Sequence, residues 1–179
     1  MATYISMLRG INVNGQNRLK MESLKRLYEI MGFTDVRTYV QSGNVIFNVS
    51  KKPNILRLSK SIEENIRRNF GLTVSVFIRT PNDFKEMIEN NPFLTKSGWD
   101  LSKLHVTFLS DTPKHPVNVG EIGSDLFHIS GKDIYLYCPN GYGRTKLSNS
   151  YFEKILSVTA TTRSWNSVNK LYEIAANKG

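Results

Sequence analysis

The sequence predicts an α+β protein made of two tandem ferredoxin-like plaits, each with the element order βαββαβ and an antiparallel sheet. Two observations lead to this prediction. Apolar residues alternate with period two in short runs, as strands do, and recur at helical spacing between those runs. The same order of elements then occurs twice along 179 residues, a length that suits one domain or two small ones.

The first half carries the clearer pattern. Its first helix ends at Gly32, a residue type common just after helix C-termini, and a turn at Gln41-Ser42-Gly43-Asn44 joins two β-rich runs. The predicted elements are a strand over Thr3–Arg9, a helix over Met21–Met31, strands over Val36–Val40 and Val45–Val49, a helix over Ile55–Phe70 and a strand over Val74–Ile78.

A linking helix is predicted after the first plait. Thr80 can cap it, Pro81 suits the first helical position and Asp83 favours the helix dipole. Pro92 ends this helix, because proline cannot continue it. The predicted domains are a basic first plait over residues 1–80, a linking helix and connector over 81–100, and a second plait with a terminal helix over 101–179.

The second half repeats the pattern less clearly. Its first helix is weakened by Gly120 and Gly123, and Ser150 with Glu153 predicts a capping box for its second helix. The predicted elements are a strand over Leu104–Leu109, a short helix over Val117–Ile122, strands over Phe127–Ile129 and Ile134–Cys138, a helix bearing Phe152, Ile155 and Leu156, a strand over Val158–Thr161 and a terminal helix from Trp165 to Ala175.

Composition excludes several classes of protein. A hydrophobic fraction of 40% with 22% charged residues indicates a folded core rather than disorder. The single cysteine excludes an intramolecular disulfide, and no apolar run approaches the length of about 18 residues that a membrane span needs. The N-terminal run reaches Arg9 too early for a signal peptide. We therefore expect a cytoplasmic protein with no membrane partner, and the oligomeric state stays open.

Positive charge is concentrated in the first half. The net charge is +9, and residues 1–80 hold 13 Lys and Arg against 5 Asp and Glu. Such asymmetry indicates either an acidic partner, such as nucleic acid, or a solvated basic face. The cations that avoid the apolar stripe of the second predicted helix, with their neighbours before it, are Lys51, Lys52, Arg57, Lys60, Arg67 and Arg68.

One candidate site lies where two loops of the first plait should meet. In the strand order 4-1-3-2, the end of strand one lies beside the start of strand three, about 4.8 Å away. This arrangement predicts a polar, acid-poor rim that could bind a phosphate or a polyanion, although asparagine, serine and glycine are also ordinary turn residues. The candidate ligand-binding residues are Arg9, Asn12, Asn14, Ser42 and Asn44.

A second candidate site lies at the corresponding rim of the second plait. The loop Asn140–Lys146 and the segment Thr161–Trp165 follow strands that run in the same direction. Arg144, Lys146 and Arg163 could clamp a phosphate there. Trp165 could stack on a base, but it also fits the apolar stripe of the terminal helix.

No known catalytic motif is present. Walker A, Rossmann, HExxH, CxxC and GxSxG patterns are absent, so neither a cofactor nor a catalytic residue is predicted. His105, His115 and His128 are too widely spaced for a recognisable metal site, and no metal is predicted. Cys138 is expected to be a small buried hydrophobe, with a nucleophile as the alternative.

Five segments carry a more specific pattern. They are Met7-Leu8-Arg9-Gly10-Ile11-Asn12-Val13, Thr38-Tyr39, Ser42-Gly43-Asn44-Val45, Asn91-Pro92-Phe93 and Thr162-Arg163-x-Trp165-Asn166. Together they resemble an uncharacterised bacterial family that is known only as a domain of unknown function. The resemblance implies a cytoplasmic bacterial protein with two ferredoxin-like plaits, and it implies no substrate, reaction or cofactor. Asn14 and Ser164 depart from the family, which commonly has Gly and Asn there.

Three functions remain open at this point. The first is a binding module for a phosphate-bearing ligand or a nucleic-acid backbone, which the charge of the first half favours. The second is an enzyme that acts on a small phosphorylated metabolite at the Arg144, Lys146 and Arg163 rim. The third is a structural or protein-interaction domain. A continuous basic surface without a pocket would favour the first, a pocket shared by both halves the second, and a large exposed apolar patch the third.

Overall fold

The computed structural model describes residues 1–95, 97–114 and 119–177. This part of the chain forms a mixed α+β structure with five α-helices and two antiparallel sheets, one of four strands and one of five. The chain divides into two compact units, Met1–Phe84 with Leu171–Gly179, and Lys85–Lys170. Among the described residues, no helix is both long enough and apolar enough to span a membrane.

The first unit contains the four-stranded sheet. Its order is β2-β3-β1-β4, which is the expected 4-1-3-2 order read from the other edge. All of its strand pairs are antiparallel. The elements are β1 (Ala2–Leu8), α1 (Met21–Ile30), β2 (Thr34–Tyr39), β3 (Asn44–Val49), α2 (Ile55–Phe70) and β4 (Val76–Arg79).

The core of the first unit forms where α1 and α2 pack on one face of the sheet. Leu24 and Tyr28 of α1 and Ile62 and Ile66 of α2 are fully buried. They recur at intervals of four residues, so each helix presents one apolar stripe. Tyr28 is the one polar member of these four, and its hydroxyl lies 2.9 Å from the Ser6 hydroxyl of β1, so that a hydrogen bond satisfies it.

Local sequence signals set the helix ends of the first unit. Gly32 adopts a φ of 86° after α1, and Gly71 adopts a φ of 68° at the end of α2, the left-handed conformation that glycine accepts most readily. The next helix, α3 (Pro81–Glu89), has the expected start. The Asp83 N–H donates to the Thr80 hydroxyl at 3.1 Å, and the Thr80 N–H donates to the Asp83 carboxylate at 2.7 Å.

The second unit contains the five-stranded sheet, in the order β6-β7-β8-β5-β9. One hydrophobic cluster of this unit packs α4, whose Phe152 is fully buried, against one face of the sheet. The elements are β5 (Leu104–Leu109), β6 (Val119–Ile122), β7 (Asp125–Ser130), β8 (Asp133–Tyr137), α4 (Asn149–Leu156) and β9 (Ala160–Ser164), with short 3-10 helices at Pro92–Leu94, Leu101–Lys103 and Tyr142–Arg144. The terminal helix α5 (Trp165–Ala176) begins in this unit, and its residues from Leu171 onward belong to the first.

The helix predicted over Val117–Ile122 is wrong in its described part. Residues 119–122 form strand β6, which pairs with β7, while residues 117–118 lie outside the described residues. Packing explains the difference, because a Cβ at Gly120 would lie 2.4 Å from the Phe127 ring. Glycine therefore brings two strands together here. After α3, the described α-helices and strands run β-β-β-β-α-β-α and do not repeat the first unit element by element.

Two boundaries in the second unit also differ from the prediction. Helix α4 is capped by Ser148, whose hydroxyl accepts from the Tyr151 N–H at 3.2 Å, rather than by Ser150. Glu153 makes no capping box with Ser150, and instead accepts the Ala160 N–H at 3.0 Å. The last strand runs over Ala160–Ser164 and not over Val158–Thr161, so it reaches the start of α5.

Candidate functional sites

The two loops of the first rim do lie side by side. Met7 is paired with Asn44 in the sheet, and the Leu8 N–H donates to the Gly43 carbonyl at 3.0 Å. A Cβ at Gly43 would lie 2.7 Å from Ile11, so only glycine allows this close approach. The rim predicted from strand order therefore exists.

Asn12 links three segments of this rim. Its side-chain amide donates to the carbonyls of Leu19 and Gln41, each at 2.8 Å, and its side-chain oxygen accepts the Leu19 N–H at 2.8 Å. These bonds connect the loop after β1, the start of α1 and the turn after β2. Asn12 thus has a structural role in the rim.

The loop between Gly10 and Arg18 is a small hairpin held by its own asparagines. Asn12, Asn14 and Asn17 have φ values of 53°, 49° and 48°, the left-handed region that asparagine tolerates better than most residues. The Asn17 amide donates to the Gly10 carbonyl at 2.9 Å, while Asn14 is exposed. Asparagine and glycine are the residue types that best suit this conformation.

Ser42 and Asn44 form the other side of the rim. Asn44 is fully buried, and its amide donates to the Tyr39 carbonyl at 3.1 Å and to the Ser42 hydroxyl at 2.9 Å. Arg9 is half-buried, and its backbone N–H donates to the Ser75 carbonyl at 3.0 Å. The two sides of the rim are adjacent, but much of their polar capacity is used within the fold.

The charged surface around α2 is exposed. Lys51, Lys52, Arg57, Lys60, Arg67 and Arg68 all face solvent. Glu64 accepts hydrogen bonds from Arg67 at 2.8 Å and from Arg68 at 2.6 Å, and these two guanidinium groups lower its pKa to about 2. Lys60 pairs with Glu63 at 2.8 Å. These six cations, which we call the α2 basic face, outnumber the two acids that pair with them.

The three candidate cations of the second rim differ in their exposure to solvent. Strands β8 and β9 end beside the same part of β5, with Tyr137 opposite Leu104 and Ser164 opposite His105. Arg144 and Lys146 are exposed in the following loop, whereas Arg163 lies within β9 and is only 8% exposed.

Arg163 is held along its own strand. It donates to the Thr161 hydroxyl at 2.8 Å and to the Thr162 carbonyl at 2.9 Å. Burial lowers the pKa of its guanidinium to about 10. The loop position expected for Arg163 is wrong, because β9 continues beyond Thr161, where the sequence predicts that it ends. Trp165 is 6% exposed, which favours core packing over base stacking.

Side chains of the loop Asn140–Lys146 contact strands β5 and β7. The Tyr142 ring stacks on His105 at 4.9 Å between ring centroids, and Thr145 donates to the Asp125 carboxylate at 2.6 Å. Burial lowers the pKa of His105. Asp125 thus has a structural partner, and Asp111 accepts the Thr112 N–H at 2.8 Å as an ordinary turn residue does.

Cys138 lies beside this loop and is fully buried. Burial raises the pKa of its thiol to about 11, so the reactive thiolate is scarce near neutral pH. Within the described ranges, no group of three or more His, Cys, Asp and Glu residues could hold a metal ion. His115 lies outside the described residues.

A cavity that the sequence did not predict lies within the second unit. Its volume is about 470 Å³, and its walls include Pro92, Phe93, Trp99, Glu121, Leu126 and His128. Two features of the sequence lie near this cavity. Tyr135 and Tyr137 share one face of a predicted strand, and the connector carries Asn91-Pro92-Phe93 and Trp99. Neither feature predicts a cavity, because the connector and the strands meet only in the folded chain.

Comparisons with known proteins place the chain among proteins without an assigned activity. Residues 1–135 match the family described as "Protein of unknown function (DUF1697)". The solved structure of the conserved bacterial protein SP0830 from Streptococcus pneumoniae is similar, with a TM-score of 0.69 and 21% sequence identity, and the match covers 97% of this chain and 98% of that one. This likeness concerns the fold alone. No curated protein matches the sequence.

Proposed function

We propose that this chain, which belongs to the DUF1697 family of proteins of unknown function, is a nucleic-acid-binding protein that contacts the phosphate backbone through its N-terminal unit. The observation that carries the proposal is the α2 basic face. Its six cations are all exposed, while the buried residues of α2 lie on the opposite side of the helix.

The dimensions of this face suit an extended polyanion. Arg57 and Arg68 lie 11 positions apart on one helix, which corresponds to about 16 Å along its axis. That length spans several charges of a nucleic-acid strand. The carboxylates of Glu63 and Glu64 do not prevent this use, since exposed ion pairs contribute little and can exchange partners.

A small phosphorylated ligand at the first rim is the alternative. Arg9, Asn14 and Ser42 would supply donors there, beside the structural amides of Asn12 and Asn44. We favour the polyanion because the basic face is broad and exposed, whereas Asn12 and Asn44 already bond within the fold. The enzyme hypothesis has less support, since Arg163 is buried within β9 whereas Arg144 and Lys146 are exposed.

Three further points belong to this proposal. The topology of the first unit supports a ferredoxin-like plait, a fold that many RNA-binding domains use. The division into residues 1–80, 81–100 and 101–179 is the working domain scheme. A cytoplasmic location is part of the proposal, because a nucleic-acid partner would be met there.

The test is fluorescence anisotropy with labelled single-stranded RNA and DNA oligonucleotides at several salt concentrations. The logarithm of the binding constant should fall linearly with the logarithm of the salt concentration. In the double variant Arg57→Gln/Lys60→Gln, this slope should become shallower by about 1.4, because two contacts with phosphates of a single strand are lost.

The matched control is Lys85→Gln/Lys154→Gln, which removes the same charge from exposed positions of the other unit and should leave the slope nearly unchanged. A binding curve that does not respond to salt would contradict the proposal. Binding of pyrophosphate that Arg9→Ala weakens, without oligonucleotide binding, would favour the rim alternative instead.

A further inference from the structure

The cavity of the second unit lies on the sheet face that α4 does not cover. Paired residues of antiparallel strands share a face. Glu121 is paired with Leu126, and Leu126 with Tyr137, so these three side chains lie on the same side. His128, two residues beyond Leu126, also lies there, opposite Tyr135.

Aromatic rings from the connector form the opposite wall. Trp99 packs edge-on against Tyr137 at 4.3 Å and against Phe93 at 5.5 Å between ring centroids. Asn91 positions Phe93, since its side-chain oxygen accepts the Phe93 N–H at 3.0 Å. The aromatic rings of this wall therefore pack against one another.

The size and lining of the cavity suit a small organic molecule. A volume of about 470 Å³ falls within the usual range of ligand pockets, about 300–1,000 Å³. Most of the lining side chains are apolar or aromatic, and Glu121 and His128 are the polar ones. The cavity therefore offers an apolar space for the body of a ligand and polar groups for its polar end.

The charge of the lining selects the ligand. Among the described residues that line the cavity, Glu121 is the one carboxylate and none is lysine or arginine, although the whole protein carries a net charge of +9. A carboxylate and a tryptophan face both attract cations, the second through the ring quadrupole. An anionic ligand would find neither lysine nor arginine among these side chains.

We propose that this cavity is a binding site for a small organic amine, a cation with an aromatic or aliphatic body. The body packs between Trp99, Phe93 and Leu126, and the ammonium group lies near the Glu121 carboxylate. This site is independent of the α2 basic face, which lies in the other unit and attracts the opposite charge.

Three probes of one shape and different charge test the proposal: 2-phenylethylammonium, 2-phenylethanol and phenylacetate. Binding is followed by the fluorescence of Trp99 in a Trp165→Phe background, which leaves one tryptophan. The cation should bind most tightly and phenylacetate most weakly. Equal affinity for the three probes, or no saturation by the cation up to about 10 mM, a range of weak affinity, would overturn the proposal.

Variants locate the site. Glu121→Gln should weaken binding of the cation roughly two- to five-fold, as expected for an exposed charge pair, and should leave 2-phenylethanol unaffected. Glu22→Gln, an equal charge change at an exposed position of α1, is the control. Leu126→Trp should fill the cavity and abolish binding of the cation and of 2-phenylethanol, with thermal unfolding as the check on folding. Unchanged cation binding in both Glu121→Gln and Leu126→Trp would contradict the assignment.

Discussion

Asparagine and glycine residues have structural roles at many of the positions that look functional in this sequence. Asn12 makes three hydrogen bonds at 2.8 Å, and Asn44 is fully buried against the turn that it closes. Side-chain amides can replace backbone partners in loops, and asparagine also accepts left-handed backbone. A polar cluster in a loop therefore marks a well-bonded turn at least as often as a ligand site.

Gly120 offers a test of packing at the residue scale. Gly120→Ala should lower the free energy of unfolding by about 1–3 kcal/mol, because the new Cβ would meet the Phe127 ring. Chemical denaturation measures this loss. Phe127→Leu combined with Gly120→Ala should cost less than the sum of the two single changes, since the smaller side chain removes the clash. An alanine variant as stable as the original protein would contradict the packing argument.

Cys138 offers a second test, of reactivity. Burial raises the pKa of its thiol to about 11. At pH 8 the folded protein should react with iodoacetamide roughly 100-fold more slowly than the protein in denaturant, because far less thiolate is present. Mass spectrometry of alkylated samples over time measures both rates. Similar rates in the folded and unfolded protein would show that the thiol is accessible and ionised.

At the scale of single elements, capping residues and close packing decide where helices and strands begin and end. Thr80, Pro81 and Asp83 set the start of α3 as expected, since all of the bonds involved are local. Residues 119–122 form a strand although they stood in a predicted helix, because their pairing with β7 is formed by residues further along the chain.

The start of α4 distinguishes the two capping assignments. Ser148→Ala should lower the free energy of unfolding by about 1 kcal/mol, because the Tyr151 N–H loses its acceptor. Ser150→Ala, the matched control in the first turn of the same helix, should be nearly neutral, since Ser150 is exposed. Thermal or chemical denaturation of the two variants decides the matter. A larger loss for Ser150→Ala would reverse the assignment.

At the scale of the whole molecule, the two units differ in charge and in construction. Each unit has its own hydrophobic core, and residues 1–80 carry nearly all of the excess positive charge. The proposed sites follow this division, with a polyanion surface in the first unit and an amine cavity in the second. Binding of the two classes of ligand should therefore be separable by mutation.

The stability of the protein should depend on pH in two separate ranges. Burial holds the pKa of His105 below its ordinary 6.5, so below that pH the unfolded chain binds more protons than the folded one. The stability that depends on a neutral His105 is fully present above pH 6.5 and is lost as the pH falls below that value. Arg67 and Arg68 lower the pKa of Glu64 from 4.5 to about 2. The ionised Glu64 therefore stabilises the folded protein above pH 4.5, and this stabilisation is lost as the pH falls below 4.5.

Chemical denaturation across a series of pH values tests this separation. His105→Gln should flatten the dependence just below pH 6.5 and leave the fall below pH 4.5. Glu64→Gln should have the complementary effect. Parallel curves for His105→Gln and the original protein between these two values would show that His105 does not titrate as its burial implies.

Much of the first unit follows from local patterns. Its six elements and its strand order were predicted, and with them the meeting of the Arg9–Asn14 loop and the Ser42–Asn44 turn. The second unit was harder, because Arg163 and residues 119–122 take their structure from strand partners distant in sequence. No spacing along the chain shows that a residue will be covered by a strand or a connector elsewhere.

The sequence by itself determined the periodicity of the elements, the main helix caps, the family and the excess of positive charge in residues 1–80, because each of these depends on composition or on neighbours within a few positions. Only the tertiary structure decided that Asn12 and Asn44 bond within the fold, that Arg163 is buried and that Trp99, Phe93 and Glu121 surround a cavity. Burial and cavities arise from contacts between segments far apart in the chain, and those contacts exist only once the strands have paired.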